Sequence, residues 1–202
     1  MASFGYLGNF IESKKGETVS PLQLLRGGGM AAALGSALLI IVALISLVYL
    51  SFFFSPSAVS EADITVSQIR SFLAFLGRTL LVLGLVGLYV SQSEATGIPG
   101  LIGFLIAFLG LVAGPGGAGA ALFANVGWAV LGVASLRAGL YPRTITVLLI
   151  VGAVVSGVIN GLTIGVPSGI LLYAGTVASI VFYGAIAWLG YALWVKTGAV
   201  DE

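Results

Sequence analysis

The sequence predicts an all-α fold: a polytopic integral membrane protein, a bundle of six transmembrane helices behind a short amphipathic N-terminal segment. Three observations predict it. Hydrophobic residues make up 59% of 202 positions and charged residues 7%, an apolar fraction that a soluble domain of this size has no interior to bury. Mean hydropathy is +1.16. The apolar residues collect in runs near the roughly 20 residues that cross a bilayer as a helix, separated by polar or Gly- and Pro-bearing breaks.

Residues 1–29 read as an interfacial segment, 30–196 as the six-helix domain and 197–202 as a tail. In the first, Phe4, Leu7 and Ile11 recur at helical spacing ahead of Lys14 and Lys15, the pattern of a helix lying on a membrane surface. Ser20-Pro21 reads as an N-cap and first helical residue, opening a turn that Gly27-Gly28-Gly29 should loosen. The first span, 30–54, is too long for the apolar region of a cleaved signal, about 7–15 residues, so it is expected to be retained. A loop over 55–69 follows, with Thr65 or Ser67 as the expected cap of a second span at 71–90. The third and fourth spans, 98–113 and 120–136, are short and divided by Gly114-Pro115-Gly116-Gly117-Ala118-Gly119. Joined as one helix they would run to roughly 58 Å, nearly twice the hydrocarbon thickness, so a tight turn between two helices is the natural arrangement. The fifth and sixth spans are 144–166 and 168–194.

The charges test the count. With six spans and both termini cytoplasmic, Lys14, Lys15, Arg26, Arg137, Arg143 and Lys196 lie inside and only Arg70 and Arg78 lie toward the other face, as the positive-inside rule requires. Merging spans three and four reverses the balance. The expected location is therefore the cell membrane, multi-pass, both ends inside. Tyr89, Tyr141, Tyr191 and Trp194 fall at inner ends of spans, where aromatic rings favour the headgroup level.

Composition also excludes chemistry. A net charge of +1 gives no general attraction for nucleic acid, and no nucleic-acid partner is expected. The chain has no Cys and no His, so it offers no thiolate or imidazole for a metal or haem and no imidazole proton relay. No cofactor and no metal are expected. No Asp or Glu lies inside a span, which argues against ion-coupled transport, and no intramembrane Ser or Thr has a neighbouring base, which argues against an enzyme.

The segment Leu136-Arg137-Ala138-Gly139-Leu140-Tyr141-Pro142-Arg143, with Leu148-Leu149-Ile150-Val151-Gly152-Ala153 after it, resembles the inner loop of small prokaryotic polytopic membrane proteins. Ala187-Trp188-Leu189-Gly190-Tyr191-Ala192-Leu193-Trp194 is similar to their ending. The resemblance covers the last third of the chain and implies an architecture but no functional residues.

Two constellations remain. Ala153, Gly157, Gly161 and Gly165 lie four apart on one face of the fifth span, and Gly110 and Gly114 repeat the spacing on the third. Such small-residue faces let helices approach closely, inside the bundle or against another subunit. Arg78 is the one charge deep within a span, at a cost of roughly 2.5–3.5 kcal/mol on insertion scales. With a span beginning at Ser71 it should lie about 10 Å below the outer surface. Asn125, Asn160, Tyr173 and Thr176 are expected at similar depth, as are Ser46 and Tyr49. The primary expectation is a non-catalytic scaffold or accessory subunit packing through its Gly-rich faces, with membrane lipids, copies of itself or other membrane subunits as partners. The alternative is an uncoupled channel or binding protein for a small anionic or neutral solute or lipid, using the polar layer around Arg78.

Overall fold

A computed structural model describes residues 21–52, 61–113, 118–162 and 169–198. Six helices occupy them: α1 (Pro21–Phe52), α2 (Glu61–Val90), α3 (Ser93–Val112), α4 (Ala118–Ala138), α5 (Arg143–Leu162) and α6 (Gly169–Gly198). Each is long and apolar enough to cross a membrane, and no strand occurs among the described residues. The protein is thus a multi-pass six-helix membrane bundle. The N-terminal amphipathic segment, the Ser20 cap, Gly114, Gly165 and the tail at 199–202 lie outside the described residues.

The helices form a ring in the order α2–α1–α6–α5–α4–α3, closed by a thinner contact between α3 and α2. Neighbours are antiparallel, and α1 begins at the end of the bundle where α6 finishes, here called the termini end. Its opposite is the far end. Pro21 opens α1, the position where a missing N–H costs nothing. At the termini end, α2 turns into α3 through Ser91 and Gln92. Gly97 (φ 55°, ψ −144°) interrupts α3 and Pro99 follows it, so the continuous helix begins where the Pro-led span was expected. Gly139 (φ 65°) caps α4 in the left-handed conformation, and Pro142 precedes α5, the usual Gly-then-Pro helix stop.

Large side chains point both ways. Trp128, Leu81, Leu85, Leu131, Leu149 and Ile186 form the interior, each 2% exposed or less. Phe72, Phe75, Ile98 and Ile170 are 65–83% exposed, the arrangement of a surface solvated by lipid. Without a hydrophobic drive between helices, close backbone contact holds such a bundle together. A Cβ on Gly28 would lie 2.6 Å from the Cα of Gly87, one on Gly84 2.5 Å from that of Ala32, and one on Gly103 2.5 Å from the Leu131 nitrogen.

Two expectations change, and the structure bears on one choice that the sequence left open. The Gly27–Gly29 run does not loosen α1: it is helical, with Gly28 against α2 and Gly29 against α6. The helix that holds the second span is already formed at Glu61 and its apolar stretch begins at Ile64, ahead of Ser71, so Thr65 and Ser67 lie within the helix rather than at its N-terminus. Val66, Ser67 and Arg70 share a small pocket with Ile45 and Tyr49 of α1. Finally, the small-residue face of α5 is filled from within the chain. Ala153 is fully buried, and Cβ atoms on Gly157 and Gly161 would meet Asn125 and Leu122 of α4 at 3.2 Å. Gly110 of α3 packs on Ala124, also of α4.

Candidate functional site

The α2 helix has 30 residues and its neighbour α3 has 20. This difference determines where Arg78 stands. It lies about 20 Å along the axis from either end of the apolar stretch Ile64–Val90, near mid-length and deeper in its own helix than a span beginning at Ser71 implied. Yet the cavity it reaches is lined by Gly110 and Leu111, close to the far end of α3, and by Asn160, close to that of α5. The same cavity is lined by Leu81 of α2 and by Phe182 and Tyr183 near the middle of α6, so it stands level with the middle of the long helices and with the ends of the shorter ones.

Two concavities share Arg78. The first is a groove of about 520 Å³ along the middle of α2, beside the thin α2–α3 contact. Val42 and Ser46 of α1 and Leu111 and Val112 of α3 wall it, Phe75, Thr79 and Val82 line its floor, and Arg70 stands two turns from Arg78 in the same groove. Phe75 and Val112, 68% and 58% exposed, turn its rim to lipid. The second is an internal chamber of about 70 Å³ between α2, α3, α4, α5 and α6, lined by Arg78, Asn125, Ser156, Asn160, Ser179 and Tyr183 among apolar neighbours.

The hydrogen bonds on the chamber wall are unevenly distributed. Asn160 Nδ2 donates to Ser156 Oγ at 3.1 Å, Ser156 and Ser179 hydroxyls meet at 3.0 Å, and Ser179 donates to the Gly175 carbonyl at 2.8 Å. This cluster ties α5 to α6. By contrast, the side chains of Arg78, Asn125 and Tyr183 make no hydrogen bond or ion pair among the described residues, although Arg78 lies within electrostatic reach of Tyr183. Asn125 is 7% exposed. Buried polar groups are ordinarily bonded, so this side of the chamber presents unused donors.

The structure therefore brings Arg78, Asn125 and Asn160 together. Tyr173 and Thr176 do not line the chamber, and Thr176 donates to the Leu172 carbonyl of its own helix at 2.8 Å. Ser46 lines the groove and Tyr49 a smaller pocket beside Arg70. Ser156, Ser179 and Tyr183 complete the chamber. Ser156 lies one turn from Asn160, and Ser179 one turn from Tyr183, spacings readable only once the helices that face each other are known.

A second polar cluster occupies the termini end. Ser135 of α4 meets Gln92 Oε1 at 2.5 Å and the Leu131 carbonyl at 2.7 Å, and Ser91 shares a 3.1 Å hydrogen bond with Tyr141. Gln92 and Ser135 are each 3% exposed. These bonds latch the α2–α3 turn to α4 and the α4–α5 turn. Burial raises the Tyr141 phenol above its ordinary value of 10.0, and the Ser91 bond partly opposes the shift. The latch couples turns, contains no charge, and reads as structure.

Comparison with known protein families, with curated proteins and with solved structures finds nothing that matches this chain. Among the described residues there is no group of three or more His, Cys, Asp or Glu positioned to hold a metal. A cation with no carboxylate beside it among the described residues, bordered by neutral donors and by a groove with an exposed apolar rim, is equipped to hold an anionic group.

Proposed function

We propose that the protein is a non-catalytic, membrane-embedded binding protein for an anionic phospholipid, whose phosphate is held by Arg78 in the α2 groove. The observation that carries this reading is a guanidinium with no ion pair among the described residues, opening on a groove with an apolar, lipid-facing rim. A buried cation requires a counter-charge. No carboxylate of the described chain supplies one, whereas a phosphate matches the planar fork of Arg by paired, charge-assisted hydrogen bonds. Arg70 adds positive potential in the same groove. Its volume of about 520 Å³ is within the ordinary range of small-molecule sites, about 300–1,000 Å³.

The scaffold reading has less specific support, because the glycine faces that would dock a partner are occupied by α4. The orientation belongs to the proposal as well: both termini cytoplasmic in the cell membrane, supported by Arg26, Arg137, Arg143 and Lys196 at the termini end against Arg70 toward the far end.

The test is lipid retention after purification in mild detergent, read by mass spectrometry. Wild-type protein is expected to keep anionic phospholipid in preference to zwitterionic phospholipid, and Arg78→Gln to lose about tenfold or more of it, as a charged hydrogen bond of about 1.5–3 kcal/mol implies. Equal retention by wild type and Arg78→Gln would exclude this role.

A further inference from the structure

Resting on that reading, we infer that the internal chamber behind Arg78 is a headgroup site, selective for a small uncharged polyol such as the glycerol group of an anionic glycerophospholipid. Arg78 borders both concavities. A phosphate held by it from the groove carries its headgroup substituent toward the chamber.

The chamber's chemistry is that of a hydroxyl site. Asn125 is nine-tenths buried with an amide that has no partner among the described residues, and the Tyr183 hydroxyl is likewise unused. Ser156, which accepts from Asn160 and donates to Ser179 at 3.0 Å, keeps one lone pair to accept a further proton. Groups that both donate and accept complement a polyol, whose hydroxyls do the same. No acidic side chain lines the chamber.

An ammonium headgroup is disfavoured on three counts. Arg78 fixes a positive charge at the junction, no carboxylate answers a second cation, and Trp128 and Phe182 pack edge to face (6.2 Å, 79°), leaving no open aromatic box. Size narrows the class further. A volume of about 70 Å³ gives room for roughly five water-sized groups at 10–15 Å³ each, close to the heavy atoms of one glycerol and well below those of a sugar or inositol.

The experiment measures binding of phosphatidylglycerol, phosphatidic acid and phosphatidylethanolamine of identical acyl chains, added singly to delipidated full-length protein and read by native mass spectrometry. Phosphatidic acid carries the phosphate and at least as much charge but no headgroup, so a preference for phosphatidylglycerol over it cannot come from Arg78. Wild type is expected to favour phosphatidylglycerol over phosphatidic acid by about tenfold, as one or two hydrogen bonds imply. In Asn125→Ala the preference collapses toward unity. That side chain makes no hydrogen bond among the described residues, and Ala keeps the Cβ on which Gly157 packs. Tyr183→Phe, which retains the ring packed on Phe182 at 5.2 Å, weakens it independently. If wild type binds the two anionic lipids equally, or both variants keep the preference, the chamber holds solvent only and the inference fails while phosphate binding by Arg78 stands. If phosphatidylethanolamine binds as well as the anionic lipids, the phospholipid reading itself fails.

Discussion

Hydroxyl groups within apolar helices usually discharge their protons locally, by donating to the carbonyl one turn earlier. Ser46, Ser179, Thr176 and Thr197 all do so here. Ser36 of α1 does not: it is fully buried and its Oγ has no hydrogen-bond partner among the described residues. A buried, unbonded hydroxyl carries a desolvation penalty of about 1–3 kcal/mol, so Ser36→Ala is expected to raise the thermal midpoint of the protein in detergent. A lower midpoint would mean that the hydroxyl has a role the static contacts do not contain. Arg78 and Asn125 carry the same kind of penalty, but they border cavities rather than packed carbon, and that difference separates a structural defect from a site. The sequence made Arg78 conspicuous, since one guanidinium in an apolar run needs no partner information to be noticed. It left Tyr183, Ser156 and Ser179 silent, because such residues are ordinary in helices and acquire meaning only from the helix opposite.

Helix contacts in this chain are decided by where a Cβ is absent. A Cβ added to Gly84 would lie 2.5 Å from both the Cα and the nitrogen of Ala32, so the obstacle is backbone and cannot rotate away. Gly84→Ala is expected to force α1 and α2 apart and cost about 1–3 kcal/mol. Gly184 of α6 is the internal control, having nothing within 4 Å of an added Cβ. Gly184→Ala should be neutral or stabilising by up to about 1 kcal/mol, through helix propensity and a less flexible unfolded chain. Unfolding both variants in graded denaturing detergent gives the comparison, and equal stabilities would refute the close-approach account of the α1–α2 contact. The spacing of glycines along α5 was legible in the sequence. Their partner was not, since a small-residue face is the same whether it meets α4 or a neighbouring protein. The start of α2 was illegible for a separate reason. Glu61, Asp63 and Arg70 made residues 61–70 read as loop, although the apolar stretch already begins at Ile64.

At the scale of the whole molecule, the ring is thinnest between α2 and α3, which meet near the termini end where Tyr89 stacks on Phe104 at 4.5 Å. The groove at Arg78 lies along this thin seam, so the long α2 and the weak closure of the ring together shape it. Six spans were readable from the apolar runs and from the need to satisfy every backbone group within lipid; the seam was not, because it is a property of which helices are neighbours. Orientation then decides which leaflet can supply the ligand. Arg137 and Lys196 occupy the last turns of α4 and α6, and Arg143 begins α5, all at the termini end, as is Arg26 over the Trp194 ring at 6.0 Å. A cationic rim of this kind resists translocation, so the termini end should face the cytoplasm and the groove the opposite leaflet. Because the chain has no Cys, one introduced thiol is the only reactive thiol in the protein. Ala95 at the termini end and Gly119 at the far end are both exposed. In intact cells, a membrane-impermeant maleimide is expected to label Gly119→Cys and to reach Ala95→Cys only after permeabilisation. The reverse pattern would invert the bundle and move the proposed lipid site to the cytoplasmic leaflet, with the geometry around Arg78 unchanged.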